Sequence, residues 1–290
     1  MPKPSLRFGT VGAPITTPKN PGGTVGGIRR LAELGLTTME LAWVQSVRVG
    51  EGKCAEIKQT AQECGVVLSV HAPYFINLNG SADEWPRSRQ RLMDAAHYGH
   101  LAGVDDVIFH PGSYFGREPA LVLEVAIPRL RQCVADLRAA GNPVTLRPET
   151  MGKSAMLGSL EDTLTMAAEI DGVLPCIDFA HLHARPGDGS SNSYAEWMAM
   201  LKRVKQRLGA KALQRIHIHL SGIEYGPKGE KHHVPLKEGD LKYKDLFKAL
   251  RDAGVSGRVL CESPKMEEDA LLMAKTWKRA LAVCRRARHD

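Results

Sequence analysis

The sequence predicts a (β/α)8 barrel, a single domain over residues 1–290, and three observations support this prediction. Short apolar runs alternate with amphipathic stretches along the whole chain. Eight such pairs fit within about 290 residues, a length typical of this fold. A histidine or a carboxylate also follows most of the apolar runs, as expected where barrel strand ends form a site. A doubly wound open sheet is the alternative architecture.

The apolar runs have the character of buried parallel strands, which are short, apolar and rich in β-branched residues. The segment Val66-Val67-Leu68-Ser69-Val70 shows this composition, with one polar residue among five. Taken in chain order, the predicted strands lie near residues 6–11, 37–41, 66–71, 105–110, 143–149, 174–178, 214–219 and 257–262.

The amphipathic stretches between the runs predict helices, several of which end at a glycine that can adopt the left-handed closing conformation. These helices lie near residues 23–35, 51–64, 84–103, 119–140, 159–170, 193–208, 242–253 and 266–287. Long connections follow the strands at 72–83, 111–118, 179–192 and 220–240. In a barrel these connections share the face formed by the strand C-termini.

The composition is ordinary for a globular protein, with 43% hydrophobic and 24% charged residues. No run of eighteen apolar residues predicts a membrane span, and residues 1–7 lack the apolar stretch of a secretory signal. We therefore expect a cytoplasmic protein without membrane contact. The net charge of +7 suits a polyanionic partner.

Seven residues of metal-binding type follow predicted strands. They are His71, His110, Glu149, Asp178, His181, His219 and Glu262. Because parallel strands end on one face, we expect these side chains to converge there. Imidazole and carboxylate ligands suit zinc or manganese, and the lack of thiolates favours zinc. Seven ligands exceed the needs of one ion, so we predict two or three ions with bridging carboxylates.

The remaining histidines have other expected roles. His97 and His100 lie on a predicted helix and should be at or near the surface. His217 points to the same strand face as His219, one layer deeper, which favours a hydrogen-bonded core histidine over a ligand. His183 follows His181 by two residues, and whether it supports the site stays open at this stage.

Several of these segments resemble the motifs of the endonuclease IV family of apurinic/apyrimidinic endonucleases. Val70-His71-Ala72-Pro73-Tyr74 resembles the first zinc-ligand motif, and Phe109-His110-Pro111-Gly112-Ser113 the second. The resemblance extends from about residue 8 to 265. The matching segments are 70–78, 109–113, 148–152, 176–181, 219–221 and 260–263.

The resemblance implies a TIM barrel that holds up to three Zn²⁺ ions at its mouth, with Mn²⁺ as the alternative metal. His71 and His110 would bind the first ion, and Glu149 would bridge the first and second. The second ion would also be bound by Asp178, His219 and Glu262. The implied catalytic residues are Glu149, which spaces the first two ions, and Glu262, which orients the nucleophile.

The third implied ion is bound by His181 and by an acidic residue and a histidine from a downstream D-R-H element. This chain reads Gly-Glu-Lys-His-His over 229–233 instead. Aligned on the acidic residue, Glu230 and His232 take the two roles. Aligned on the downstream Leu-x-Glu-Gly, His233 is the histidine ligand. We assign Glu230 and His233, and the choice between His232 and His233 stays open.

The resemblance also implies residues that contact DNA. Tyr74 matches a tyrosine that lies in the minor groove, and Gln45 matches a residue that probes the gap left by a missing base. An expected arginine is replaced by Ser46, and Arg48 is the nearest substitute. Trp43 either stacks on a base or packs beneath the loop.

The implied function is zinc-dependent cleavage of the phosphodiester 5′ to abasic sites in damaged double-stranded DNA, a step of base excision repair. Such an enzyme needs no protein partner and works as a monomer. The alternative function is a metal-dependent sugar isomerase or epimerase on the same barrel, with Glu149 and Glu262 moving a proton between adjacent carbons. A third reading is a DNA-binding protein that has lost catalysis through its altered 229–236 segment. The His71–His110 pair favours the nuclease, because a one-metal isomerase does not need it.

Overall fold

Eight parallel strands surround a common axis, and their C-terminal ends meet on one face. The structure is a computed structural model that describes residues 5–286. Its strands within that range are β1 (Leu6–Val11), β2 (Thr38–Ala42), β3 (Val67–His71), β4 (Asp106–Phe109), β5 (Thr145–Pro148), β6 (Cys176–Asp178), β7 (Ile216–Leu220), β8 (Gly222–Gly226), β9 (Gly229–Val234) and β10 (Gly257–Cys261).

The eight-stranded sheet has the order β5-β4-β3-β2-β1-β10-β7-β6, and its neighbours pair in parallel. Parallel bridges from Leu146 to Val173 and from Glu149 to Cys176 join the two edges and close the sheet. The predicted (β/α)8 barrel is therefore confirmed. Strands β8 and β9 form a separate antiparallel hairpin.

Helices follow the strands and pack around the sheet. Within residues 5–286 they are α1 (Gly23–Glu33), α2 (Glu51–Cys64), α3 (Trp85–Leu101), α4 (Pro119–Ala139), α5 (Leu160–Glu169), α6 (Phe179–Ala184), α7 (Tyr194–Leu208), α8 (Tyr243–Asp252) and α9 (Glu267–Arg286). None of the helices in this described range is long and apolar enough to span a membrane.

Alternation along the barrel strands separates the apolar core from a polar interior. In β3, Leu68 and Val70 belong to the hydrophobic core that the helices cover. Ser69 and His71 alternate with them and are also buried, so they carry polar groups into the barrel. Both faces of the strand are thus buried, which explains why the run looks apolar in sequence yet delivers His71 to the mouth.

The connection 220–240 differs from the expected loop, because β8 and β9 form a hairpin within it. The two strands pair from Gly222 opposite Val234 to Gly226 opposite Gly229, with a register shift beside Glu224. Gly229 has a φ of +93°, which glycine adopts at no steric cost. The strands are short and partly exposed, so their sequence lacks the apolar run that marks a buried strand.

The connection 179–192 also differs from the expected loop, since α6 begins directly after β6. Asp178 caps this short helix: its Oδ1 accepts a hydrogen bond from the backbone N–H of His181 at 2.7 Å. The cap turns the chain at the end of β6 and places the His181 side chain in the first helical turn, beside the barrel mouth.

Candidate metal centre

Nine histidine and carboxylate side chains meet at the C-terminal face of the barrel. Three overlapping groups of them have ligand atoms within 4.8 Å of one another. The groups are His71, His110 and Glu149; Glu149, Asp178, His219 and Glu262; and Asp178, His181, His233 and Glu262. The ninth side chain, Glu230, lies beside His181 and His233. The structure thus brings together all seven strand-end residues.

Glu149 is the centre of the first group. Its Oε2 lies 3.2 Å from His71 Nε2 and 3.5 Å from His110 Nε2. His71 donates its Nδ1–H to the carbonyl of Ala72 at 2.8 Å. The ionised Glu149 carboxylate can also only accept, so in the metal-free protein Nε2 carries a hydrogen toward Glu149 Oε2, and a bound cation would replace that hydrogen.

The second group contains buried polar atoms without a hydrogen-bond partner. Glu149 Oε1, Asp178 Oδ2 and His219 Nδ1 are all in this state. His219 Nδ1 lies 3.4 Å from Glu149 Oε1 and 3.5 Å from Glu262 Oε1 without forming a hydrogen bond to either. Unsatisfied buried groups are costly, and several aimed at one point fit a cation between them.

The third group places two imidazole nitrogens face to face. His181 donates Nδ1–H to the carbonyl of Thr150 at 2.9 Å, and His233 donates Nδ1–H to the carbonyl of Glu262 at 3.2 Å. The two Nε2 atoms then lie 3.1 Å apart. In neutral rings both carry lone pairs, which repel unless a proton or a cation joins them. Glu230 Oε2 lies 3.6 Å from His181 Nε2.

The β-bulge of the hairpin decides which histidine joins this group. Glu230 pairs with Tyr225 and His232 pairs with Glu224, so Lys231 is the extra residue. The bulge turns both Glu230 and His233 toward the barrel, although they are three residues apart. The side chain of His232 is 61% exposed and lies 3.5 Å from Glu224 instead.

A metal ion bound by the third group would lose a ligand in the His233→Ala variant, which should then retain about one ion fewer per chain than the wild type. The adjacent His232→Ala variant is the matched control and should keep the metal content of the wild type. Metal per chain is measured by elemental analysis of the purified proteins. A loss confined to the His232 variant would contradict the register of this hairpin.

Neighbouring charges in the cluster raise the pKa of a histidine and lower the pKa of a carboxylate. Burial alone would lower the pKa of His181, but Asp178, Glu149 and Glu230 raise that pKa well above its usual value. Burial alone would raise the pKa of Glu149, but His219 and its neighbouring histidines hold it well below its usual range. Protons therefore stabilise the metal-free cluster, and bound cations would replace them.

The rim of the centre is more open than its floor. Burial and the nearby Glu262 raise the pKa of Tyr74 to about 12, so this phenol stays neutral and can donate a hydrogen bond. Its side chain is 45% exposed and its ring stacks on His110 with centroids 5.0 Å apart. A cavity of about 300 Å³ opens here, lined by Tyr74, His110, His181, Glu230, His233 and Glu262.

The loop after β2 lies against the loop after β3. Tyr74 donates its backbone N–H to the carbonyl of Val44 at 2.9 Å, which fixes the two loops together. Gln45 and Arg48 are exposed on the loop after β2. Trp43 is half-buried and packs against the hydrophobic core, which favours a supporting role beneath the loop.

The other histidines lie outside the three groups formed at the mouth. His97 and His100 are exposed on α3. His217 is buried one layer deeper and bonds to Glu40 Oε2 at 2.9 Å, as the core-histidine interpretation predicts. His183 bonds to the carbonyl of Ser190 and to Asp240 Oδ1, so it joins two loops.

Sequence reasoning missed several residues of this region. Glu40 lies beneath the centre, and its signal was a charged residue within the apolar run 37–41. Thr150 supplies the carbonyl that orients His181. Phe75 and Phe115 are more than half exposed on the loops that follow β3 and β4. An aromatic residue within a polar connection was the available signal for both.

Comparisons with known proteins support the same fold. A family model described as xylose isomerase-like TIM barrel matches residues 28–287. "Uncharacterized protein MJ0133" of Methanocaldococcus jannaschii is 37% identical over 273 residues, covering 94% of this chain and 97% of the relative. Endonuclease 4 of Thermus thermophilus is 27% identical over 266 residues, covering 88% and 93%. The crystal structure of a D-tagatose 3-epimerase-like protein has a TM-score of 0.70 at 17% identity, covering 91% and 97%.

The similarity to the epimerase-like structure is one of fold, because its sequence identity is low. The similarity to Endonuclease 4 extends over nearly the whole of both chains, which agrees with the motif resemblance. The family model covers most of the sequence, including every residue of the three ligand groups. The chain therefore belongs to the xylose isomerase-like TIM barrel family.

Proposed function

We propose that this protein is a zinc-dependent endonuclease that hydrolyses the phosphodiester 5′ to abasic sites in double-stranded DNA. The observation that carries the proposal is that Glu149 belongs to two ligand groups at once. One of its carboxylate oxygens faces His71 and His110, and the other faces His181 and His219. Such an arrangement suits several closely spaced ions, which phosphoryl transfer uses to hold attacking and leaving oxygens.

The ligand sets follow from the three groups. One ion would be held by His71, His110 and Glu149. Glu149 would also be a ligand of a second ion, on the side of Asp178. The ligands of the second ion would be Glu149, Asp178, His219 and Glu262. His181, His233 and Glu230 would hold a third. The second group suits a cation because several of its buried ligand atoms have no hydrogen-bond partner. The third group suits one because two imidazole nitrogens face each other.

Bound zinc ions would supply Lewis acidity, which lowers the pKa of water and neutralises charge on phosphate oxygens. The chain's own contribution is position and proton exchange. Burial raises the pKa of Glu262, whose carboxyl borders the cavity, and a raised pKa suits a group that takes a proton from water. Tyr74, neutral at physiological pH, would donate a hydrogen bond at the rim.

DNA binding would rest on the mouth loops and on the overall positive charge. The proposed contacts are Gln45, Arg48 and Tyr74, and their exposure on the loops after β2 and β3 supports this role. Phosphate contacts from basic side chains make binding weaken as salt concentration rises. An abasic nucleotide leaves the helix at lower cost than a paired base and could reach the cavity. We propose that the protein acts as a cytoplasmic monomer, without a protein partner.

The second candidate is a sugar epimerase or isomerase. The fold likeness to the D-tagatose 3-epimerase-like structure favours it, as does a cavity of about 300 Å³ that would accommodate a monosaccharide. Glu149 and Glu262 would then exchange protons with adjacent sugar carbons. Such an enzyme would need one or two ions and would leave the His71–His110 pair without a role.

A duplex with one tetrahydrofuran abasic analogue tests the proposal. The zinc-loaded protein should nick the modified strand 5′ to the analogue, and chelator should prevent this. The same duplex with an intact base at that position is the control and should stay uncut. Zinc content near three per chain is expected. Failure to nick with every divalent metal tried, together with epimerisation of a ketohexose, would replace the nuclease by the second candidate.

A further inference from the structure

The 151–156 segment, which follows β5, contacts both the β8–β9 hairpin and the C-terminal end of α6. Glu230 of the hairpin donates its backbone N–H to the carbonyl of Gly152 at 2.8 Å. The carboxylate of the same glutamate lies 3.6 Å from His181 Nε2. The position of the 151–156 segment therefore bears on the third ligand group, to which the hairpin contributes Glu230 and His233.

The hairpin packs so closely on this segment that neither backbone leaves room for a side chain. A Cβ atom at Gly152 would lie 2.7 Å from Glu230 Cβ and 3.1 Å from His181 Cδ2. A Cβ atom at Gly229 would lie 2.3 Å from the carbonyl oxygen of Gly152. Glycine at both positions allows this approach of the two backbones. A shift of the segment would consequently move Glu230 relative to His181.

Arg185, the residue that ends α6, binds the 151–156 segment through its guanidinium group. Nη1 donates to the carbonyl of Met151 at 2.9 Å and to that of Lys153 at 2.7 Å. Nη2 donates to the carbonyl of Met156 at 2.9 Å and to that of Ser154 at 3.4 Å. Four backbone carbonyls of one short segment thus share a single side chain, which the planar, many-donor fork of arginine permits.

These bonds restrict the peptide groups around Gly152. Because Arg185 binds the carbonyls of both neighbouring residues, the Gly152 carbonyl keeps its direction toward the Glu230 N–H. The guanidinium is itself fixed, since Nη2 donates to Tyr114 Oη at 3.3 Å and the Tyr114 hydroxyl donates to Asp162. The contact between the segment and the hairpin therefore depends on a rigid group that belongs to neither.

We propose that Arg185 is a positioning residue that keeps Gly152 in contact with the hairpin and so places Glu230 beside His181. Its effect on a third bound ion rests on the function proposed above, whereas its binding of the segment is a property of the chain itself. The competing explanation is that Arg185 only ends α6, where its backbone N–H bonds to the carbonyl of His181 at 2.8 Å. That role does not need the side chain, so side-chain variants separate the two explanations.

The test compares Arg185→Lys with Arg138→Lys. Lysine keeps the positive charge but replaces the fork by a single ammonium group, which cannot bind four carbonyls at once. Arg138 is the matched control, because its Nη1 also donates to two loop carbonyls, those of Asn142 at 2.7 Å and Val144 at 3.1 Å. These carbonyls precede β5, at the end of the barrel opposite the metal centre.

Amide hydrogen exchange of the metal-free proteins, followed by ¹H–¹⁵N spectra, measures how firmly the hairpin is bound to the segment. We expect the Glu230 amide to exchange about tenfold faster or more in Arg185→Lys, since several hydrogen bonds to a charged group are lost. In Arg138→Lys this amide should exchange at the wild-type rate. An unchanged rate in folded Arg185→Lys would overturn the inference, as would an equal acceleration in Arg138→Lys.

Zinc competition titrations supply the second measurement. In Arg185→Lys we expect one site to weaken by about 10- to 100-fold, the range typical when a group that supports a metal ligand is lost, and Arg138→Lys to remain near the wild type. If the wild type binds zinc, unchanged affinity at every site in Arg185→Lys would contradict the inference. Faster Glu230 exchange in that variant, with no zinc bound by the wild type, would instead overturn the proposed function.

The wild type supplies a third measurement, which does not require any variant to fold. The Nη hydrogens of Arg185 should exchange slowly with solvent, because both nitrogens donate to carbonyls of the 151–156 segment. Exchange of these hydrogens as fast as in a free arginine side chain would show that the guanidinium does not bind the segment, and the inference would then be wrong.

Discussion

Glu149→Ala is expected to lower zinc binding from about three ions per chain to about one and to reduce nicking of abasic DNA by roughly a thousandfold or more. The Glu149 carboxylate is the only side chain shared by the first two ligand groups, and its Oε1 also lies 3.2 Å from His181 Nδ1. Removing it deprives two ions of a ligand at once. It also leaves His71 and His219, both fully buried, without the carboxylate between them.

His97→Ala is the control for this experiment. His97 is exposed on α3, so its removal should change neither zinc content nor nicking. Zinc is measured on the purified variants, and nicking is measured with the tetrahydrofuran duplex. Glu149→Gln separates charge from shape, because it keeps the volume of the side chain; it should also lose activity. Wild-type zinc content and activity in the Glu149→Ala variant would show that the proposed ligand arrangement is wrong.

The barrel and the floor of the centre were predictable because both depend on one local regularity. A buried parallel strand is a short apolar run, and the residue after it lies on the C-terminal face. His71, Glu149 and His219 could thus be placed together without knowledge of any contact between them. The convergence holds in the structure because the strands are in register at their ends, as in the pairing of Asp178 with His219.

The choice between His232 and His233 was not predictable from local sequence. A one-residue shift in a strand moves side chains to the opposite face. The sequence alignments differ by this single residue. The bulge at Lys231 depends on how β9 pairs with β8 and on the contact of Glu230 with Gly152, whose carbonyl accepts the Glu230 N–H at 2.8 Å. These are tertiary contacts that the composition of residues 229–233 does not encode.

The contact between Glu40 and His217 was not predictable from the sequence for a different reason. A charged residue in an apolar run can mark a strand end, an error of assignment or a buried ion pair. Its partner His217 is 177 residues away in sequence, and the link exists only when β2 and β7 face each other across the barrel. Sequence periodicity assigns a residue to a face of its own strand, but not to a partner across the interior.

Chelation of the metal is expected to destabilise the protein strongly. A ligand that binds only the folded state adds about 4 kcal/mol for each site when its free concentration is a thousandfold above Kd. The free energy of metal binding at several sites would therefore be the largest part of the measured stability. Thermal unfolding with and without chelator measures this difference. The Glu149→Ala variant is the control, because a protein that has lost the two ions sharing Glu149 should show a smaller difference in unfolding temperature between the two conditions.

The difference in unfolding temperature between the zinc-loaded and the metal-free protein should also grow as the pH rises from about 6 to about 8. Nearby carboxylates raise the pKa of His71, His181 and His219 in the metal-free fold, against the opposing effect of burial. A raised pKa contributes stability below the unfolded value of 6.5, and this contribution is lost as pH rises through the folded value. The folding stability of the metal-free protein should therefore decrease over this pH interval. Burial lowers the pKa of His110, which acts in the opposite direction but is one group against three.

Zinc reverses this dependence, because it binds neutral imidazole and must displace the protons that stabilise the metal-free cluster. The pKa of Glu149 lies well below its usual value, so the contribution of this carboxylate is already complete above pH 6. The pH dependence therefore comes from the histidines. A gap between the zinc-loaded and metal-free melting temperatures that narrows from pH 6 to 8 would contradict cation binding by the five-histidine cluster.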